Sequence, residues 1–371
     1  MVRIGITGQG GFVGTHLFNY LGLQENITCI PFKNIFFDDS ETLRAFVKQC
    51  DVVIHLAALN RHTNPEVLYQ TNVDLVQKLI AAMVAEGTNP HVIFSSSTQE
   101  DRNNVYGNSK KQGRSLLIDW AKNNNAKFTG LLIPNVFGPF GNPFYNSVMA
   151  TFCYQLTHNE IPKIDIDGTL NLIFVAELVE VIWNVINEKI DNPNYIIPST
   201  ATKNVSEILA ILLRFKSEYF EKGIFPQLNG SFELNCFNTF RSYIDHDTFF
   251  PFHLSKHTDD RGSFVETIKL HQGGQVSFST TKPQITRGNH FHTRKIERFA
   301  VIKGKARIDL RRIGTDKILS FELDGDKPSY VDMPIWYTHN ITNIGTEELY
   351  TIFWINEFFN PADTDTFFVE V

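Results

Sequence analysis

The sequence predicts a doubly wound α/β sheet followed by an all-β barrel. Strands and helices alternate over residues 1 to about 240, a glycine triplet sits at the first strand-to-helix junction, and short strands without a long helix fill the region after residue 255. At 371 residues the chain is too long for one ordinary hydrophobic core. Two domains are therefore expected, 1–243 and 250–371, joined by an irregular connector from Tyr243 to His253.

A hydrophobic content of 42% with 20% charged residues is that of a soluble globular protein. The net charge of −6, without any basic run, offers no electrostatic footprint for nucleic acid. Cys29, Cys50, Cys153 and Cys236 stand far apart with no CxxC pair, which suits buried thiols in a reducing compartment. The first residues run straight into a strand pattern, and no apolar stretch reaches the roughly 20 residues of a membrane span. A cytoplasmic protein without a membrane partner is the expectation.

In the first part, the apolar runs 2–7, 27–31, 51–56, 91–96 and 129–133 have the length of buried parallel strands. Between them lie amphipathic segments; Val13, Leu17, Phe18 and Leu21 share one helical face. The first junction reads Gly8-Gln9-Gly10-Gly11-Phe12-Val13-Gly14. Glycines at 8, 11 and 14 permit a tight turn, close backbone approach to a pyrophosphate, and close helix–strand packing, while the helix N-terminus offers N–H groups to phosphate. This predicts a Rossmann-type dinucleotide site.

After the second strand comes Cys29-Ile30-Pro31-Phe32-Lys33, with no carboxylate before Asp38. A carboxylate there would bind the ribose 2′-hydroxyl of NAD; Lys33 instead suits a 2′-phosphate and favours NADPH, the alternative being a solvated loop lysine. Tyr106 and Lys110 are four apart and share a helical face. A nearby ammonium favours a phenolate, so Tyr106 is placed to pass a proton to a carbonyl oxygen during hydride transfer. Ser95, Ser96 and Ser97 close the fourth strand, where a hydroxyl can bond the same oxygen.

As a set, Gly8/Gly11-Phe12/Gly14, His55-Leu56-Ala57-Ala58, Ser95–Ser97, Tyr106/Lys110 and Asn135-Val136-Phe137-Gly138-Pro139 resemble the extended short-chain dehydrogenase/reductases that act on nucleotide sugars. The resemblance covers residues 1 to about 240. It implies Ser97, Tyr106 and Lys110 as the catalytic set, with Ser96 or Thr98 as alternative hydroxyls. It also implies a cofactor cradle of Gly8, Gly11, Phe12, Val13, Gly14, Lys33, Leu56, Ala57 and Asn135. One departure is Leu132, where the family often has arginine.

In the last third, the runs 275–279, 298–302, 306–311, 329–332 and 349–355 are short strands separated by turns. His290 and His292, two apart on a strand, point to one side. With Glu297, and with His339 from a second segment after Pro334, they offer three imidazoles and a carboxylate to Zn²⁺ or another first-row divalent ion. The pattern His290-x-His292-x4-Glu297-x6-Gly304 with Pro334-x4-His339-x3-Asn343 resembles the cupins, which are jelly rolls; Gln284 and Trp336 stand where that family usually has glycine.

A second resemblance overlaps. Asp260-Arg261-Gly262-Ser263-Phe264-Val265-Glu266 and Arg287-Gly288-Asn289-His290 are similar to two signatures of the dTDP-4-keto-sugar 3,5-epimerases. It implies that Arg261 and Arg287 hold polar groups of the substrate. In that metal-free family the histidine is the base and a lysine stands at the position of Glu297. His290 belongs here to a metal box, so the base role does not transfer.

The order of the two parts, with Asn146-Ser147-Val148, Thr151-Phe152-Cys153-Tyr154 and the ending Asp365-Thr366-Phe367-Phe368-Val369-Glu370-Val371, resembles a family of bifunctional capsular-polysaccharide enzymes over essentially the whole chain. That resemblance implies C3 epimerisation of UDP-2-acetamido-2,6-dideoxy-hexos-4-ulose in the second domain, then NADPH reduction at C4 in the first. The competing expectation is a single-activity nucleotide-sugar reductase or 4-epimerase whose barrel serves dimerisation. A dinucleotide-sensing regulator would have no need of the Ser97/Tyr106/Lys110 set. Exposed barrel edges point to a homodimer.

Overall fold

In the computed structural model, which describes residues 1–260, 262–271 and 273–371, the alternating pattern folds as a run of strands and helices. These are β1 (Val2–Thr7), α1 (Phe12–Leu21), β2 (Ile27–Ile30), α2 (Ser40–Lys48), β3 (Val52–His55), α3 (Pro65–Glu86), β4 (His91–Ser97) and α4 (Val105–Asn124). They continue as β5 (Phe128–Ile133), β6 (Asn135–Phe137), α5 (Val148–Thr157), β7 (Thr169–Phe174), α6 (Val175–Asn187), β8 (Asn192–Ile196) and β9 (Ala201–Asn204). Contacts divide the chain into two compact units, 1–151 with 164–205, and 152–163 with 206–371.

The first unit is built on a parallel sheet of order β2-β1-β3-β4-β5-β8. Its central strands β3, β4 and β5 are buried on both faces, as a doubly wound sheet requires. Along β4, Val92 and Phe94 enter one core with Leu79, Leu117 and Trp120, and Ile93 enters the other with Leu17, Leu178 and Ile182. Strand order reverses between β1 and β3, so the crevice for a ligand opens at their C-terminal ends. The helices carry their own start signals. Asp39 caps α2 by accepting the Glu41 and Thr42 amides. Asn64 and Pro65 open α3, which ends at Gly87 in the left-handed region. Asn104 caps α4 through the Gly107 amide at 2.8 Å.

The second unit contains α7 (Val205–Phe215) from residue 206 onward, β10 (Ile224–Phe225), α8 (Gly230–Arg241) and α9 (His246–Phe249). Its next strands are β11 (Phe252–His253), β12 (Lys256–Asp259), β13 (Gly262–Val265), β14 (Lys269–Leu270), β15 (Gln275–Thr281), β16 (Thr286–Phe291) and β17 (Glu297–Lys303). The rest are β18 (Lys305–Arg312), β19 (Ile318–Asp324), β20 (Ser329–Met333), β21 (Tyr337–Asn343), β22 (Leu349–Ile355) and β23 (Phe367–Phe368). Among the described residues, two five-stranded antiparallel sheets form, β11-β20-β17-β22-β15 and β19-β18-β21-β16-β23, the jelly-roll arrangement expected from the strand spacing. Ala306, Ile308 and Leu310 of β18 face the barrel core with Phe321, Leu323 and Ile341. The connector expected from 243 to 253 holds the short helix α9 and strand β11.

Helical residues of this unit are tied to its strands by buried polar contacts. Tyr219 Oη donates to Asp332 Oδ2 at 2.7 Å, and Arg241 Nη2 donates to the Met333 carbonyl at 3.1 Å. Arg298 forks onto Asp332 at 2.7 and 2.9 Å and reaches the Gly223 carbonyl at 2.8 Å. Burying the Arg298 and Asp332 charges is tolerable because they are paired and hydrogen-bonded to each other.

Candidate functional site

The glycine turn sits at the β1/β3 reversal. Gly8 has φ +73 and so occupies the left-handed region; a Cβ there would lie 2.8 Å from the Ala57 amide nitrogen. A Cβ on Gly14 would lie 2.2 Å from the Gly8 carbonyl oxygen. Both positions therefore exclude a side chain by contact with backbone. The Gly11 amide donates to the Gly8 carbonyl at 2.9 Å, closing the turn, and Gly11 is the N-cap of α1. Phe12 and Val13 open that helix. The segments around Leu56 and Asn135 reach the same turn: Ala57 N donates to Thr7 Oγ1 at 3.4 Å, and the Phe12 ring lies 3.4 Å from a Cβ built on Gly138. Thr7 Oγ1 stands 2.6 Å from Nδ1 of His55, its register partner, whose proton affinity burial lowers to about 3.

Lys33 is exposed just after β2. The preceding residue, Phe32, donates its amide to Gln9 Oε1 at 3.3 Å, which links this segment to the glycine turn. Asn135 is exposed, and its Nδ2 donates to the Asn171 carbonyl at 3.3 Å.

At the end of β4 the three serines take different roles. Ser97 Oγ accepts the Gln99 amide at 3.1 Å. Ser96 Oγ donates to Glu100, whose carboxylate is also gripped by Arg114. Thr98 Oγ1 donates to the Ile133 carbonyl at 3.5 Å. Ser95 Oγ donates to the His55 carbonyl at 3.1 Å and accepts Lys110 Nζ at 3.4 Å. The lysine ammonium also lies 4.8 Å from the Phe94 ring centre and 5.9 Å from that of Tyr106.

Burial lowers Lys110 to about 7, with Glu100 pulling weakly the other way. Desolvation, helped by Tyr145, pushes Tyr106 up to about 12. The spacing argument anticipates a phenol biased toward phenolate. Instead desolvation raises the phenol's proton affinity and favours the protonated form, the one that donates. Missed from the sequence was Asn72, whose amide accepts the Leu59 N–H at 2.6 Å and donates to Ser109 Oγ at 3.0 Å, tying the 56–59 segment to α4. A buried asparagine in an apolar helix face was its available signal.

In the second unit, His290 on β16 lies opposite His339 on β21. His290, His292, Glu297 and His339 bring one ligand atom each within 4.8 Å of one another. His292 Nδ1 donates to the Asp365 carbonyl at 2.5 Å, and His339 Nδ1 donates to the Tyr337 carbonyl at 3.3 Å. A carbonyl cannot donate, so in neutral rings these contacts put the proton on Nδ1 and a lone pair on Nε2. Those Nε2 atoms stand 3.1 and 3.3 Å from Glu297 Oε2. With neutral imidazoles this is acceptor against acceptor, and all three atoms are buried without a hydrogen-bond partner. Only positive charge relieves the arrangement.

Burial opposes charge on His292, but Glu297 outweighs it and raises the ring's proton affinity. Burial also opposes charge on Glu297, and His292 and His339 outweigh it, holding the carboxyl well below the usual range. His290 is lowered to about 4 by burial and its two neighbouring rings, so it stands neutral at pH 7. Four donors of this kind, with the second nitrogens of His292 and His339 fixed, fit a divalent cation. Arg287 is exposed on β16, three residues before His290; Arg261 lies outside the described residues.

A parallel sheet with a glycine turn at its switch point and a Tyr–Lys pair defines a dinucleotide-dependent domain of the dehydrogenase and epimerase class. Residues 4–197 match the model of the NAD dependent epimerase/dehydratase family, and residues 257–367 match that of the polysaccharide biosynthesis C-terminal domain. A UDP-2-acetamido-2,6-beta-L-arabino-hexul-4-ose reductase from Pseudomonas aeruginosa is 31% identical over 99% of this chain and 98% of its own length. The crystal structure of the capsular polysaccharide assembling protein CapF from Staphylococcus aureus is 34% identical, covers 100% of both chains and superposes with a TM-score of 0.64. RMD from Pseudomonas aeruginosa complexed with NADPH, at 20% identity, TM-score 0.53, and 58% of this chain against 83% of its own, shares the fold of the first part. The chain belongs to the NAD dependent epimerase/dehydratase family, and over its full length it is similar to CapF and the Pseudomonas reductase. Among the described residues no helix is long and apolar enough to cross a membrane.

Proposed function

We propose that this protein converts UDP-2-acetamido-2,6-dideoxy-hexos-4-ulose in two steps. The C-terminal domain, 250–371, epimerises C3, and the N-terminal domain, 1–243, reduces C4 with NADPH to give UDP-2-acetamido-2,6-dideoxy-L-talose for capsular or surface polysaccharide. The observation that carries this reading is one chain, similar end to end to a UDP-sugar reductase, that holds both a protonated phenol beside a buried lysine and a separate cluster of three imidazoles and a carboxylate.

For reduction, the glycine turn and Lys33 would hold NADPH, which would supply the hydride. Tyr106 gives its proton to the ketone oxygen as C4 becomes the alcohol carbon. The Lys110 ammonium then steadies the phenolate left behind, held in place by Ser95. Ser97 accepts the Gln99 amide, which leaves its O–H to bond the same ketone oxygen.

For epimerisation, the C4 ketone acidifies the C3 proton, which must leave one face and return to the other. His290, His292, Glu297 and His339 would hold one divalent cation, zinc by the donor set. Bound there, the cation would supply positive charge against an enolate and would also order the barrel. Arg287 and Arg261 would hold polar groups of the substrate. A homodimer is proposed through barrel edges such as β15, whose Val276 and Phe278 are exposed. A cytoplasmic location fits the free cysteines.

The test is incubation with the 4-keto sugar nucleotide in D₂O, with and without NADPH, followed by NMR. Deuterium should enter C3 without NADPH, and the talose product should form only with it. Absence of NADPH consumption would sink the reading. Reduction without C3 exchange would leave a single-activity reductase.

A further inference from the structure

Much of the metal-ligand segment is held from one stretch near the C-terminus. β23 pairs with β16 and sets Phe368 opposite His290 and Phe367 opposite Phe291. Asn356 Oδ1 accepts the amide of Ile296, the residue before Glu297, at 2.9 Å. Between these anchors lies Asp365, which is 5% exposed.

The Asp365 carbonyl accepts His292 Nδ1–H at 2.5 Å. Its carboxylate accepts the amides of Thr293, Arg294 and Lys295 at 3.0, 3.0 and 2.9 Å, and the Thr293 hydroxyl at 2.6 Å. Those are three consecutive amides of the turn that leads from His292 toward Glu297. Lys295 Nζ donates to the Thr364 carbonyl at 2.7 Å, and Arg294 pairs with Asp363 at 2.8 Å, fastening both sides of Asp365. Asp365 itself sits at φ 41, a left-handed conformation that aspartate tolerates better than most residues and that these contacts hold in place.

We propose that Asp365 is a positioning residue of the metal centre. One residue does two jobs there. Its main-chain oxygen fixes the His292 tautomer and ring plane, so that Nε2 offers its lone pair to the centre. Its carboxylate holds the 293–295 turn in the one shape that returns Glu297 to the same point. Partners that orient ligands in this way contribute strongly to metal affinity. Because coupling is reciprocal, a bound cation would in turn protect the 293–295 and 363–366 backbone.

This inference rests on the proposed divalent-cation site. The experiment is zinc titration of the full-length apo protein against a chromophoric chelator, for wild type, Asp365→Ala and Asp365→Asn. Expected is a loss of affinity of about 10- to 100-fold in Asp365→Ala, and a smaller loss in Asp365→Asn, which keeps one acceptor oxygen. The melting temperature of the apo protein should change less than that of the zinc-loaded form. Hydrogen exchange should show zinc protecting 293–295 and 363–366 in the wild type, and less so in the variants. Unchanged zinc affinity in both variants would overturn the proposal, as would equal melting losses in apo and loaded forms. If Asp365→Ala does not fold, Asp365→Asn alone carries the comparison. Wild type that binds no divalent ion would instead overturn the metal site itself.

Discussion

Lys110 Nζ lies 5.9 Å from the centre of the Tyr106 ring, and burial drives two groups of nearly equal ordinary proton affinity apart, the phenol up to about 12 and the ammonium down to about 7. In the proposed reduction, separated affinities of this kind would make the phenol the acid and the lysine the charge that steadies its conjugate base.

The ammonium form of Lys110 is therefore lost as pH rises through about 7, while Tyr106 stays protonated. The kcat/KM for ketone reduction should be level below pH 7 and fall above it. Lys110→Met should lose the break in the profile and at least ~10²-fold in rate. Stability moves the opposite way. Between about 7 and 10.5 the unfolded chain holds the lysine proton and the folded chain does not, so wild-type stability rises with pH across that window. Denaturation at pH 7 should find Lys110→Met more stable than wild type.

Gly14→Ala would place a methyl 2.2 Å from the Gly8 carbonyl oxygen, a backbone atom that cannot swing away. NADPH titration by fluorescence should show at least ~10-fold weaker binding, with a lower melting temperature. Gly10→Ala, with nothing within 4 Å of its added Cβ, should be close to wild type.

Lys33→Glu should turn the cofactor preference. A carboxylate in place of the ammonium repels a 2′-phosphate and can accept a ribose hydroxyl. Initial rates should show the NADPH-to-NADH ratio of kcat/KM falling at least ~10-fold, and an unchanged ratio would make Lys33 a solvated loop residue.

Glu297→Gln removes the one anionic donor of the four-residue cluster. Elemental analysis should find the metal lost, and C3 exchange should disappear. NADPH affinity should stay within about twofold, since the glycine turn belongs to the other unit.

Asp332→Ala leaves Arg298 buried without its partner, since the two are 0% and 1% exposed at the side chain. Urea denaturation should show a loss of about 3–5 kcal/mol. Arg298→Met combined with Asp332→Leu should lose less, because the Arg298 charge is removed together with its partner.

Much of this was legible in advance because it is local. Strand runs 2–7 and 349–355 appear with the same bounds as β1 and β22, since apolar length and turn residues act within a few positions. His290 and His292 with Glu297, and Tyr106 with Lys110, are readable for the same reason: their spacing is a property of one strand-to-turn segment and one helix. The packing of the 206–241 helices with the C-terminal strands was not readable from periodicity. It depends on contacts such as Tyr219 with Asp332, separated by 113 positions.

By itself, the sequence determined the two-part architecture, the glycine turn, the Tyr–Lys pair and the identity of the His/Glu cluster, because residue type and spacing state that chemistry directly. Only the tertiary structure decided that Tyr106 is held protonated, that Ser95 is the hydroxyl that receives Lys110, and that Asp365 orients His292. Desolvation is a property of everything packed around a group. A main-chain carbonyl that arrives from 73 positions away carries no residue-type signature at all.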